Sequence, residues 1–225
     1  MVLSNEIFTK AIGYLRNNED LQAIKTLKMR DVEINLFQKD VRRKVVTHYA
    51  ISRDIENLPN GLVLLNMVVD VERVGDYTKN ILDLALNYPS TMIAEDFSKE
   101  LAEIENEVIS RFEKTINAIN SQDEDVARAL MKTYKDVVSI SDTIVNGCIS
   151  GEISQGRENK CVSLALYARY LKRIAAHLKN ISTSMKISEL VEATLVCFSP
   201  FASSPYRPGF LRRAEYMGRR GPFAN

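Results

Sequence analysis

Apolar positions along this chain recur at three- and four-residue steps, the period of helices that bury one face. Phe8, Ile12 and Leu15 mark a first helix that closes at Asn17-Asn18. From about Glu19 a longer stretch carries Ile34, Phe37, Val41, Val45 and Tyr49 in the same rhythm. It predicts one helix of roughly thirty residues, about 45 Å long at 1.5 Å per residue. Asn57-Leu58-Pro59-Asn60-Gly61 and Pro89-Ser90 are turn signals, so a third helix spans about Leu62 to Tyr88. A fourth runs from Phe97 to Asn120, with Ile104, Val108, Phe112, Ile116 and Ile119 on one side. A fifth reaches about Ile149, glycines at 147, 151 and 156 loosen the chain, and a sixth covers about Asn159 to Ile187. No run alternates with period two for long enough to form a strand.

Three helices followed by three invite a search for a repeat. Residues 69–81 and 169–181 align at an offset of 100, pairing Arg73 with Arg173, Lys79 with Lys179, Asn80 with Asn180 and Ile81 with Ile181. The expected fold is therefore all-α: two tandem three-helix bundles of six long helices, residues 1–90 and 91–190, and an irregular tail over 191–225.

Composition sharpens this division. The 225 residues hold 9 Gly and 6 Pro, below the usual roughly 7% and 5%. Four of the prolines and three of the glycines fall after residue 194. There five arginines face one acid, a charge of +4, while the preceding chain has 25 basic and 28 acidic residues, a charge of −3. A net +1 supplies no global field for nucleic acid, so no nucleic-acid partner is expected. The tail reads as a mobile extension; the alternative is a basic strip that touches anionic lipid beside a membrane partner. Cys148, Cys161 and Cys197 lack C-x-x-C spacing and read as reduced packing thiols. With no apolar run of membrane-spanning length and no signal peptide, the expected location is the cytoplasm. His48 and His177 belong to no metal-binding pattern.

The candidate chemistry lies on the third helix. Glu72, Asp76 and Asn80 stand at i, i+4 and i+8 on one stripe, among apolar Leu65, Val68, Val69, Ile81 and Leu84. Such carboxylates must find cations or water, because burying unpaired charge costs several kcal/mol. Asp31 and Asn35 repeat the i, i+4 spacing on the long second helix. Two readings follow. The four oxygen-bearing groups, Asp31, Asn35, Glu72 and Asp76, form a pocket for a hard or borderline cation such as Mg²⁺, Mn²⁺ or Fe, or Glu72 and Asp76 pair with Arg73, Lys79 or a basic group of another helix.

Asp-Val-Glu-Arg-Val-Gly-Asp-Tyr-Thr-Lys-Asn-Ile, residues 70–81, resembles the E-R-x-G-D-x-x-x-N-I signature of the PhoU family, and Asp31-Val-Glu-Ile-Asn35 is similar to that family's acidic second-helix motif. The resemblance covers about residues 5–187. It implies a cytosolic protein of two three-helix bundles that regulates phosphate uptake by contact with phosphate transporter components and, in bacteria, a sensor kinase. It also implies iron or other metal ions (Fe, Mn, Mg or Zn) at Asp31, Asn35, Glu72 and Asp76. A homodimer is expected as well, with membrane contact made through partners. Related domains occur in sodium–phosphate cotransporters, which is the alternative setting; a metal-dependent enzyme using the same carboxylates is another.

The second repeat departs from the signature, with Lys172 in the place of Glu72 and Ala176 in that of Asp76. A protonated lysine and an alanine offer a metal no oxygen. A metal site is therefore expected in the first repeat alone, with Lys172 paired to Asp136 or Asp142 across the bundle. Arg73, Asn80, Arg173 and Asn180 persist in both repeats, and a structural role in holding the helices in register is expected of them. There is no Walker A loop, G-x-G-x-x-G, G-x-S-x-G or Cys/His nucleophile pattern, so no enzymatic activity is expected.

Overall fold

Each of the six periodic stretches folds into helix, and no strand occurs among the described residues of the computed structural model. Those residues are 1–17, 20–52, 55–87, 97–121, 124–132, 134–151 and 158–198. The Pro89-Ser90 turn, Gly156, the Cys197 side chain and the arginine-rich tail lie outside them.

The first repeat comprises α1 (Val2–Asn17), α2 (Leu21–Met29), α3 (Asp31–Ser52) and α4 (Leu58–Asn87). The second comprises α5 (Ser98–Ser121), α6 (Glu124–Lys132), α7 (Tyr134–Ser150) and α8 (Glu158–Phe198). The single long helix expected from Glu19 is thus two. Asp20 caps α2 by accepting the Gln22 N–H at 2.8 Å. At Arg30 the bonding tightens to three-residue steps, with the Arg30 N–H on the Leu27 carbonyl and the Glu33 N–H on the Arg30 carbonyl. The Arg30 guanidinium anchors that step, 2.9 Å from Glu6 on α1 and 3.1 Å from Glu33.

The fifth predicted helix is covered by α6 and α7, and Thr133 between them lies outside the described residues. Arg111, fully buried on α5, donates to the Leu130 carbonyl at 2.8 Å and so serves an acceptor in the last turn of α6. Two other boundaries move. Pro59 and Gly61 sit in the first turn of α4 rather than in a preceding loop, where a missing proline N–H costs nothing. α8 runs on to Phe198, past the boundary set at 190, because no glycine or proline follows Gly156 until Pro200.

The centre of the molecule is the antiparallel pair α4 and α8, the third long helix of each repeat. Tyr77 lies against Tyr170 and His177 with ring centroids 6.2 and 5.7 Å apart, while Asp70 meets His177 and Asn180 further along. α1 and α5 form a second inter-repeat seam, where Phe8 and Phe112 meet with ring centroids 4.9 Å apart and planes tilted by 32°, both wholly buried. Each such ring contributes about 1.5–3 kcal/mol by leaving water. Beside them Glu105 takes Arg16 at 2.7 Å and the Tyr167 hydroxyl at 2.5 Å, tying α5 to α1 and α8. Burial and the adjacent Glu105 carboxylate push the Tyr167 hydroxyl well above its ordinary pKa.

α3 behaves differently. It buries only Asp31 and Ile34 at its root. Beyond them it packs chiefly on α4, and Val41, Val45 and Tyr49 are half-buried. Phe37, expected on the inner face, is 55% exposed, because a helix with essentially one neighbour has a narrower buried stripe. At the hairpin tip the Tyr49 ring lies so close to Gly61 that an added Cβ would fall 2.1 Å from its Cε2, and the Tyr49 hydroxyl donates to the Asn57 carbonyl at 2.5 Å.

Candidate functional site

The break at Arg30 places Asp31 in the first turn of α3, where a carboxylate is favoured by the free N–H groups of the helix end. Gly75 on α4 admits it. A Cβ there would stand 3.1 Å from Ile34 Cδ1 and 3.4 Å from Asp31 Oδ1. The Asp31 carboxylate is buried; its Oδ2 accepts from Asn35 Nδ2 at 2.9 Å and from Lys79 Nζ at 3.3 Å. Oδ1 has no hydrogen-bond partner, and Asp31 lines a cavity of about 10 Å³ together with Ile34, Gly75, Lys79 and Leu82. That is about the smallest space that holds one water.

Glu72 and Asp76 line the same helix with a different cation. Arg73 donates to Asp76 at 3.0 Å and approaches Glu72 at 3.7 Å. Burial raises the Glu72 carboxyl above its ordinary pKa, the Asp76 charge adds to the rise, Arg73 opposes it and Asp31 contributes further. The three carboxylates therefore sense one another. Even so, among the described residues no three His, Cys, Asp or Glu side chains converge as the ligands of a metal ion must. The residues brought together by sequence reasoning divide into an Asp31–Asn35–Lys79 group and a Glu72–Arg73–Asp76 group. Asn80 joins Arg73, Asp76, Tyr77 and Lys79 around an open groove of about 290 Å³.

In the second repeat, Lys172 meets Asp142 rather than Asp136, with Nζ 2.6 and 2.8 Å from its two oxygens. Ala176 adds no polar group. Arg173 and Asn180 reach across to α4: Arg173 Nε donates to the Tyr77 hydroxyl at 3.0 Å with its guanidinium over that ring, and Asn180 donates to Asp70 at 3.2 Å. Arg73 pairs within its own helix.

Sequence reasoning missed the rest of this seam. His177 Nδ1 lies 2.7 Å from Asp70 Oδ1, both largely buried, and its Nε2 is buried without a hydrogen-bond partner. The repeat alignment held the signal, since Tyr77 and His177 occupy the same position 100 residues apart and stack on each other.

The fold and this paired motif define a tandem duplication of a three-helix unit joined through its signature helices. The PhoU domain matches residues 2–85 and 101–185, once per repeat, and the chain belongs to the PhoU domain family. It is 25% identical over 173 residues to a "phosphate-specific transport system accessory protein PhoU homolog" of Clostridium acetobutylicum, covering 76% of this chain and 78% of the relative. It is 24% identical over 185 residues to PhoU homolog 1 of Thermotoga maritima, covering 80% and 78%. The crystal structure of PhoU from Pseudomonas aeruginosa shares the fold, with a TM-score of 0.73 at 18% identity over 84% of this chain and 90% of that one.

Proposed function

We propose that this chain is an accessory regulator of a phosphate-specific transport system, working on the cytosolic side by docking onto transporter components. Its relatives are named as accessory proteins of such a system, which favours this reading over a cotransporter domain or a metal-dependent enzyme. The observation that carries the docking mechanism is the outer side of α3, where Val32, Leu36, Phe37, Val46 and Ile51 are all at least half exposed. Apolar residues crowded on one element in this way mark a surface meant for contact. No described helix is long and apolar enough to cross a membrane, so the apolar face calls for a protein partner rather than a span.

The test is co-sedimentation of the full chain with membranes carrying the cognate phosphate transporter. Phe37→Asp combined with Val46→Asp is expected to abolish co-sedimentation while leaving the melting temperature unchanged. Undiminished binding by the double variant would remove α3 from the mechanism.

A further inference from the structure

Both repeats place lysines at the junction of their second and third long helices. In the first repeat, Lys79 on α4 reaches back to Asp31 at the root of α3. In the second, Lys179, its counterpart 100 residues on, lies 5.0 Å from the centroid of the Tyr134 ring at the root of α7. A lysine at one position thus seeks a carboxylate in one repeat and an aromatic face in the other, and both partners attract a cation. Lys172 adds a further ammonium in the second repeat, on Asp142.

At the first-repeat site, Asp31, Glu72 and Asp76 supply three negative charges, and Lys79 and Arg73 already return two positive ones. A divalent ion would reverse the sign of the cluster and stand a few ångström from the Lys79 ammonium. The cavity lined by Asp31 is about the size of one water, too little for Mg²⁺ or Mn²⁺ with the several waters they keep, and neither Glu72 nor Asp76 lines it.

We propose that ammonium groups built into this chain, Lys79 on Asp31 and Lys172 on Asp142, fasten the second and third long helices of each repeat in place of metal ions. The fold then needs no metal, and Lys79 is what keeps one out. The full chain would be loaded separately with Mn²⁺, Zn²⁺ and anaerobic Fe²⁺, desalted, and assayed for bound metal and for melting with and without chelator. Wild type should retain substoichiometric metal and melt identically in chelator. Lys79→Gln should bind Mn²⁺ about tenfold more tightly, as expected when one like charge a few ångström away is removed. Stoichiometric metal in wild type that is lost in Asp31→Asn would overturn the proposal, and so would a folded Lys79→Gln with no gain. If Lys79→Gln does not fold, Lys172→Glu, which restores an acid beside Asp142, provides the second arm. It should gain metal in the second repeat, and a folded variant without that gain counts against the proposal.

Discussion

The two repeats share a topology and differ in what their second long helix does after its first turn. α7 buries Val137, Ser141, Ile144 and Gly147 along its length, whereas α3 buries nothing past Ile34. In the register set by the Lys79–Asp31 and Lys179–Tyr134 contacts, the counterparts of Ser141, Ile144 and Gly147 are Gln38, Val41 and Lys44. Small residues at Ser141 and Gly147 let α7 seat in its bundle; the longer, polar Gln38 and Lys44 let α3 stand away from it. One copy of the unit is thus committed to the core, and the other keeps an apolar face for contact. The interiors differ in the same sense. The second repeat hides a whole guanidinium at Arg111, while Arg30 in the first is partly exposed.

The largest effect should come from removing that guanidinium. Arg111→Ala opens a cavity and strips the Leu130 carbonyl of its donor, and a loss of roughly 3 kcal/mol is expected in denaturant unfolding. Arg30→Ala in the first repeat should cost clearly less, because its pairs are partly exposed. Equal losses would erase the contrast in interiors.

Next come the two lysines. Lys79→Met leaves the buried Asp31 carboxylate without its cation and should cost about 1–3 kcal/mol. Lys172→Met strands Asp142, whose side chain is 47% exposed and can hydrate, so the cost should be about 0.5 kcal/mol. A larger loss at Lys172 than at Lys79 would mean that burial does not set the order.

The smallest effect has the opposite sign. Glu72 has its carboxyl pushed up by burial and by Asp76, so its ionisation works against the fold. The neutral form's contribution is fully present below the unfolded value near ~4.3 and is lost as pH rises through the higher folded value. Glu72→Gln should therefore melt above wild type at pH 7 and match it at pH 4. A lower melting temperature at pH 7 would show that the ionised carboxylate supports the structure. The repeat comparison sharpens this, because Lys172 stands at the equivalent place and carries the opposite charge.

Much of this was legible in the chain. Periodicity located all six helical stretches, and the degenerate second repeat pointed to Lys172 and to a short choice of partners. What escaped depends on distant residues. The break before α3 is held by Arg30 reaching Glu6, 24 positions away, and helix propensity carries no trace of that pairing. The Asp70–His177 contact joins residues 107 apart across a seam that local patterning cannot orient. Phe37 was misplaced for a related reason: a three- and four-residue rhythm shows that a helix has an apolar side, but not how many neighbours cover it.

Gly75 carries one more consequence. Its counterpart in α8 is Ala175, and the counterpart of Ile34, the side chain that crowds Gly75, is Val137. At these two positions one methyl has been added on the third helix and one carbon removed from the second, so the pair keeps its number of carbon atoms. The duplicated halves have drifted by trade rather than by loss. Gly75→Ala alone should therefore be strained, and pairing it with Ile34→Val should restore the fit, because that double exchange already exists in the other half of the molecule.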